Sequence, residues 1–349
     1  MSMNRLRAIS IALALSVSLM AALAGSAFAQ KDPIPPTPGT PAPKAPPMPR
    51  PKIAPPGWPV IDGVTTERSI AVDPNINLKM CVVEGRVKIN GWDRNEVRVL
   101  VRDGSTFAFK INQKGRNDQP VWISLMKVTE HGAVKTLSDC ITGEEVVIDL
   151  PIAATLDLKG QETRTTIDMV KKVSVTNVGG NIHIRNVAQG VKASTYEGDI
   201  TVEESKGQIL LDTTSGNIIV FEAGPSEIGD IFKVKTNSGA VTLQSLEHRQ
   251  VDVGSVSGAV YYTGAILSGG SYSFGTNNGT VRLFLPEKTN CQVSATFGGN
   301  FTSELPFKRN TEDIRTGPIK VVNGTLGTGG DAIVKLTNSS GGIAIRKAP

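Results

Sequence analysis

Residues 213–220 read TTSGNIIV, and words of the same form return at 236–243 (TNSGAVTL), 255–262 (SVSGAVYY) and 276–283 (TNNGTVRL). Each is a small polar triplet, a glycine, and then an alternation of apolar residues. With the glycine as position zero, the anchors are Gly180, Gly198, Gly216, Gly239, Gly258, Gly279, Gly298 and Gly341. The steps between them are 18, 18, 23, 19, 21, 19 and 43 residues. Self-similarity near twenty residues is the signature of a solenoid. Positions −7, −5, +2 and +4 are apolar in 30 of 32 cases, whereas the chain's 39% apolar content would fill about twelve.

The apolar spacing has period two on both sides of the glycine. Each unit therefore reads as two short strands with one face inward, meeting at a corner. The glycine supplies the backbone angle or the close approach the corner needs. Position −3 holds Asn177, Thr195, Thr213, Thr236, Ser255, Thr276, Ala295 and Asn338, a column of small side chains suited to stacking. A unit this short buries its apolar face only against its neighbours. The expected fold is all-β: a single-stranded parallel β-solenoid of about eight short rungs, roughly 40 Å long at about 4.8 Å per rung. An antiparallel sandwich is the rival, but it needs no fixed ladder at one corner.

Four regions follow. Residues 1–29 carry Arg5 and Arg7, an apolar run and the small-x-small end Ala27-Phe28-Ala29, the pattern of a cleaved signal peptide. Residues 30–63 form a spacer with thirteen prolines between 33 and 59, stiff and extended, reaching roughly 80 Å. Residues 64–170 form a β-rich N-terminal part that caps the stack. There Gly85 repeats the frame with Leu78, Met80, Val87 and Ile89, a turn at Gly91-Trp92-Asp93 joins two strands, and 146–151 (VVIDLP) is another strand. Residues 171–349 are the solenoid, interrupted at 303–333 by a hairpin or an inserted loop.

Charge and motif searches exclude several function classes. Residues 1–59 hold six Lys/Arg and one Asp, a net of +5. The whole chain is also +5, so residues 60–349 balance at 31 basic and 31 acidic. A neutral body has no net electrostatic drive toward nucleic acid. His131, His183 and His248 lack metal-ligand spacing, and there is no nucleophile elbow or phosphate-cradling loop. No cofactor is expected. Asp199 and Asp212 fall on different arms, and Glu203, Glu204, Glu222 and Glu227 on the variable corner. Glycoside cleavage requires two carboxylates at a set separation. Of three cysteines, Cys81 and Cys140 are the disulfide candidates, and Cys291 occupies a core slot as an inert thiol.

The words VSVTNVGGNIHIRNV and GVKASTYEGDITVEE within 173–204, with GRVKINGWDRNEVRV and VVIDLP upstream, resemble a bacterial family of exported β-strand-repeat proteins called "putative adhesins". The likeness spans roughly 65–349. It implies a β-solenoid in the cell envelope and assigns no chemistry to any residue.

The reading that follows is a non-enzymatic, exported cell-envelope β-solenoid, adhesin-like, that binds or scaffolds. Its partner is unknown, with an envelope polysaccharide or another envelope protein as the candidates. It has no transmembrane segment once the signal is cleaved, and it resides in the periplasm, at the cell surface or outside the cell. The alternatives are a β-helical polysaccharide lyase or glycoside hydrolase, and a self-associating structural envelope protein. Three outward slots, Leu210, Ile219 and Tyr261, are apolar and mark a contact surface.

Overall fold

The computed structural model describes residues 65–131, 134–310 and 319–349. The signal (1–29) and the proline-rich spacer (30–63) lie outside the described residues. All regular structure among the described residues is β-strand. No helix there is long and apolar enough to cross a membrane.

We name each coil after its corner residue. The Gly216 coil has a first arm, Ile209–Ser215, and a second, Ile218–Ala223. The first arm runs parallel to its counterpart in the Gly239 coil, with Ile209 opposite Phe232, Leu211 opposite Val234 and Thr213 opposite Thr236. The second arm does the same, with Ile218 opposite Val241 and Val220 opposite Leu243. Ile209, Leu211, Ile218 and Val220 are each at most 2% exposed. Full burial of such a side chain is worth roughly 1.5–3 kcal/mol. From Gly180 to Gly279 every coil stacks this way on its sequence neighbour.

The corner explains the repeated word. A Cβ on Gly239 would lie 1.9 Å from the carbonyl oxygen of Gly216, so a side chain there collides with backbone. The same oxygen accepts a hydrogen bond from the Thr236 hydroxyl at 3.1 Å. Thr213 donates to Gly198, Ser255 to Gly239, Thr276 to Gly258 and Asn338 to Gly279 in the same way. The polar column is thus an internal ladder in which each side chain caps the carbonyl of the preceding corner. Thr195 differs, donating to Glu197 O instead.

Parallel stacking extends upstream. The strand Thr155–Asp168 forms a coil with Thr163 at its corner, in register with the Gly180 coil on one side and with Asn77–Trp92, the Gly85 coil, on the other. Thr163 stands where the other coils carry glycine, which hides this coil from the repeat pattern. Beyond the Gly85 coil lie Pro120–His131, Cys140–Ile141 and Glu145–Pro151, also parallel to it. Then the direction changes. Glu96–Arg102 runs antiparallel to Glu145–Pro151, and Thr66–Ala71 antiparallel to Glu96–Arg102. The two strands flanking the Gly91-Trp92-Asp93 turn are therefore not partners, because Glu145–Pro151 separates them.

The C-terminal end corrects the expected order. The Gly279 coil pairs with the Gly341 coil, 43 residues past Gly298 in the anchor series: Tyr272 lies opposite Val334 and Val281 opposite Ile343. The Gly298 segment lies on the far side of that coil, with Val293 opposite Val334 and Phe301 opposite Ile343. The last coil of the sequence is thus inserted between two that are consecutive in the chain. Gly298 is also misassigned as the anchor. Val293, not Cys291, takes the −7 place, and Gly299 faces the Gly341 carbonyl, while Gly298 faces that of Ser339. In the first arm the shift is two residues, which leaves inward residues inward, but in the second arm Phe301, not Asn300, takes the +2 place, a shift of one that accounts for the two polar slots, Asn300 and Thr302, among the 32. Within 303–333, Lys320–Leu326 runs antiparallel to Cys291–Phe297 and to Phe307–Arg309. Phe297, Phe301 and Phe307 contact one another in sequence, at ring separations of 5.8 and 5.1 Å.

Candidate contact surface

Side chains at +3 and +5 on the second arms point outward, and stacking aligns them into two columns. Along +3 the order is His183, Thr201, Ile219, Thr242, Tyr261 and Arg282. Along +5 it is Arg185, Glu203, Phe221, Gln244, Thr263 and Phe284. Ile219, Phe221, Tyr261 and Phe284 are half-buried, so each offers part of its apolar surface to solvent. Ile219 and Tyr261 are two strand spacings apart, about 10 Å, and Phe221 and Phe284 three, about 14 Å. The Arg282 guanidinium lies 5.6 Å from the Tyr261 ring centre. Threonine and glutamine side chains stand between the apolar ones. Arg185, bonded to Asp168, and Glu203 border the patch on one side, and Arg346, paired with Glu304, on the other.

The three apolar residues singled out by sequence do not form one surface. Ile219 and Tyr261 share this face. Leu210 projects from a first arm, between Lys192 and Lys233, onto the other outer face. It lines a separate groove of about 680 Å³, whose opposite wall includes Glu227 and Asp230 of the variable corner. Burial pushes the Asp230 carboxyl up, but hydrogen bonds from Glu227 and Ser226 outweigh this and hold it below its ordinary value. That brace fixes the loop that carries Ile228, the most exposed large apolar residue described. Phe221 and Phe284 went unnoticed in the sequence because they lie where the strand was thought to have ended. Their parity with +3 was the available signal.

Two of the carboxylates considered for catalysis, Asp199 and Glu203, have other partners. Asp199 Oδ1 accepts from the Asn217 backbone N–H at 2.7 Å, and Asn181 and Asn217 cap their neighbours likewise. Asp212 lies opposite Lys235. Glu203 Oε1 is 3.5 Å from His183 Nε2, on an outward, half-exposed imidazole. Lys233 reaches Asp252 at 3.5 Å. Among the described residues no three His, Cys, Asp or Glu side chains converge to hold a metal. Cys81 and Cys140 are bonded as a disulfide. Cys291 is a free, buried thiol whose pKa burial pushes up to about 11. His248 is buried, with Nε2 donating to Gly207 O at 2.8 Å, and desolvation lowers its pKa.

A family model described as Toastrack DUF4097 matches residues 83–346. A solved structure described as a "putative cell adhesion protein" from Clostridium sporogenes is 10% identical. It covers 81% of this chain and 100% of its own, with a TM-score of 0.23. No curated protein matches the sequence.

Proposed function

The chain belongs to the Toastrack DUF4097 family, and on that premise we propose that it is an exported, adhesin-like binding protein of the cell envelope, without catalytic activity of its own. The observation that carries the reading is the Ile219–Phe221–Tyr261–Phe284 patch, laid out on a flat sheet with Thr242, Gln244 and Thr263 between. A rigid array of aromatic faces and hydrogen-bonding groups suits a repeating surface polymer, because a preformed surface loses little conformational entropy on binding. The engagement of Asp199 by Asn217 and of Glu203 by His183 supports binding over cleavage. At the C-terminal end the outermost strands, Phe301–Ser303 and Phe307–Arg309, are three residues each and offer few backbone partners to another copy, which disfavours self-association there.

The test is binding of the purified chain to isolated envelope polysaccharide. Tyr261→Ala combined with Phe284→Ala should weaken binding about tenfold or more while leaving the melting temperature nearly unchanged, consistent with aromatic contacts that each contribute on the order of 1 kcal/mol. Binding unaffected by that pair, or release of shortened glycan, would reject the reading.

A further inference from the structure

On the outer face of the first arms, where the parallel stack meets the antiparallel strands, a groove of about 370 Å³ opens over the Cys81–Cys140 disulfide. Its charged lining is Lys79, Lys110, Lys159 and Asp139, three positive against one negative, a net of +2. These lysines come from strands far apart in sequence. Lys110 lies opposite Ser124, and Ser124 opposite Lys79, so the two lysines stand two strand spacings apart, about 10 Å. Lys159 lies opposite Cys81, two residues along from Lys79, and so is about 8 Å from it. Asp157 follows Lys79 in the next strand but does not line the groove.

Elsewhere on this surface the basic groups are often spoken for: Arg98 is paired with Asp149, Arg185 with Asp168, Arg346 with Glu304 and Lys233 with Asp252. None of the three groove lysines makes an ion pair or side-chain hydrogen bond among the described residues. Trp122, 42% exposed, lines the groove two residues from Ser124, level with Asn77 and on the side away from Lys159, and Asn112 Nδ2 donates to Ser124 Oγ at 2.7 Å. Three unpaired cations and a partly exposed indole lining one groove complement a ligand that carries both an apolar ring face and negative charge. A cleft lined by one sign of charge also concentrates such a ligand from solution.

We propose that this groove binds an acidic oligosaccharide of the uronic-acid type. The C–H face of a sugar ring lies on the Trp122 indole, whose π-face carries partial negative charge. The sugar carboxylates take charge-assisted hydrogen bonds from Lys79, Lys110 and Lys159. Asn112 and Ser124 meet ring hydroxyls. The disulfide fixes the floor by tying the strand of Lys79 to the short strand Cys140–Ile141. The site is on a different face from the Ile219–Phe284 patch, so either can fail without the other.

The experiment titrates the purified chain with oligogalacturonic acid and with its fully methyl-esterified counterpart. The acid should bind and the neutral ester bind at least tenfold more weakly. Raising salt from about 0.05 M to about 0.5 M should weaken the acid form, because exposed charges are then screened. Lys79→Ala, Lys110→Ala and Lys159→Ala should each weaken it several-fold, and Trp122→Ala should weaken it without changing the salt dependence. These side chains are at the surface, so the variants should melt with the parent, and Tyr261→Ala should bind the acid normally. No binding of the acid, equal binding of acid and ester, or indifference to the lysine variants would overturn the proposal. So would inorganic phosphate displacing the oligosaccharide at equal concentration, since the site would then recognise charge and not sugar.

Discussion

The middle of the stack and its C-terminal end are built from the same kind of coil but joined by different rules. From Gly180 to Gly279 each coil lies on the one before it in the chain, and connections are short. At the end, the Gly341 coil is threaded between the Gly279 coil and the Cys291–Ser303 segment. The middle is a nearest-neighbour array, whose stability is approximately a sum over adjacent interfaces. The end is not, because its order depends on contacts made across 59 to 62 residues of sequence, such as Asn338 to Gly279 and Ser340 to Asn278. A coil that comes later in the chain can thus lie between two that precede it. The strands left outermost are then the short Phe301–Ser303 and Phe307–Arg309, the latter antiparallel to Lys320–Leu326, with the phenylalanine cluster beside them.

The strongest way to break the comparison is to remove residues 332–349. If the terminal coil were only the last of a row, one interface would be lost. Here the deletion withdraws Val334, Leu336, Ile343 and Ile345 from between two coils and strands the 291–326 segment. A loss on the order of 5 kcal/mol or more is expected. Proteolysis should cut within 291–326, and melting should show it; a truncated chain that melts with the parent and resists cleavage there would refute the insertion.

Within the middle, Gly239→Ala places a methyl against the Gly216 carbonyl at a residue with φ of 151°. A destabilisation of about 3 kcal/mol is expected by chemical denaturation. Gly254→Ala is the matched control, because a Cβ there meets nothing within 4 Å. It should change stability by less than about 0.5 kcal/mol, and equal effects at the two sites would show that close stacking is not what the corner requires.

Thr236→Val keeps the shape of the internal ladder and deletes one hydroxyl, leaving the partly buried Gly216 carbonyl without that donor. Denaturant titration should report a loss of about 1–2 kcal/mol, and a neutral result would mean that the column serves packing alone.

The smallest effect concerns protons. His248 has a folded-state pKa lowered from 6.5 by burial, so the unfolded chain binds its proton first on acidification. Its contribution is therefore fully present above about pH 6.5 and is lost as the pH falls from there toward the lowered value. His248→Gln, which can still donate to Gly207 O, should flatten that part of the stability–pH curve. An unchanged slope would assign the acid sensitivity to other groups.

The contact surface was partly legible before any coordinates. Ile219 and Tyr261 were found as outward apolar residues, and their sharing a column follows from their common distance from the glycine. Leu210 satisfied the same test but sits at −6, on the other arm, and so faces elsewhere. Phe221 and Phe284 kept the outward parity and were passed over as loop. The groove around Trp122 was invisible, since its lysines come from strands that are neighbours only after Pro120–His131 has docked beside the Gly85 coil.

By itself the sequence determined, from Gly180 to Gly279, which side chains face inward, where the corners fall and that the coils stack in parallel, because alternation and the glycine spacing are local properties of the chain. The order of the coils at the end, the two-residue register of the Cys291–Phe297 arm and the corner built on Thr163 were decided by tertiary structure. The physical reason is that a period of two is unchanged by a shift of two residues or by exchanging whole coils. Many arrangements therefore bury the same residues, and only the fit of the ends, with their aromatic plug and antiparallel strands, selects one.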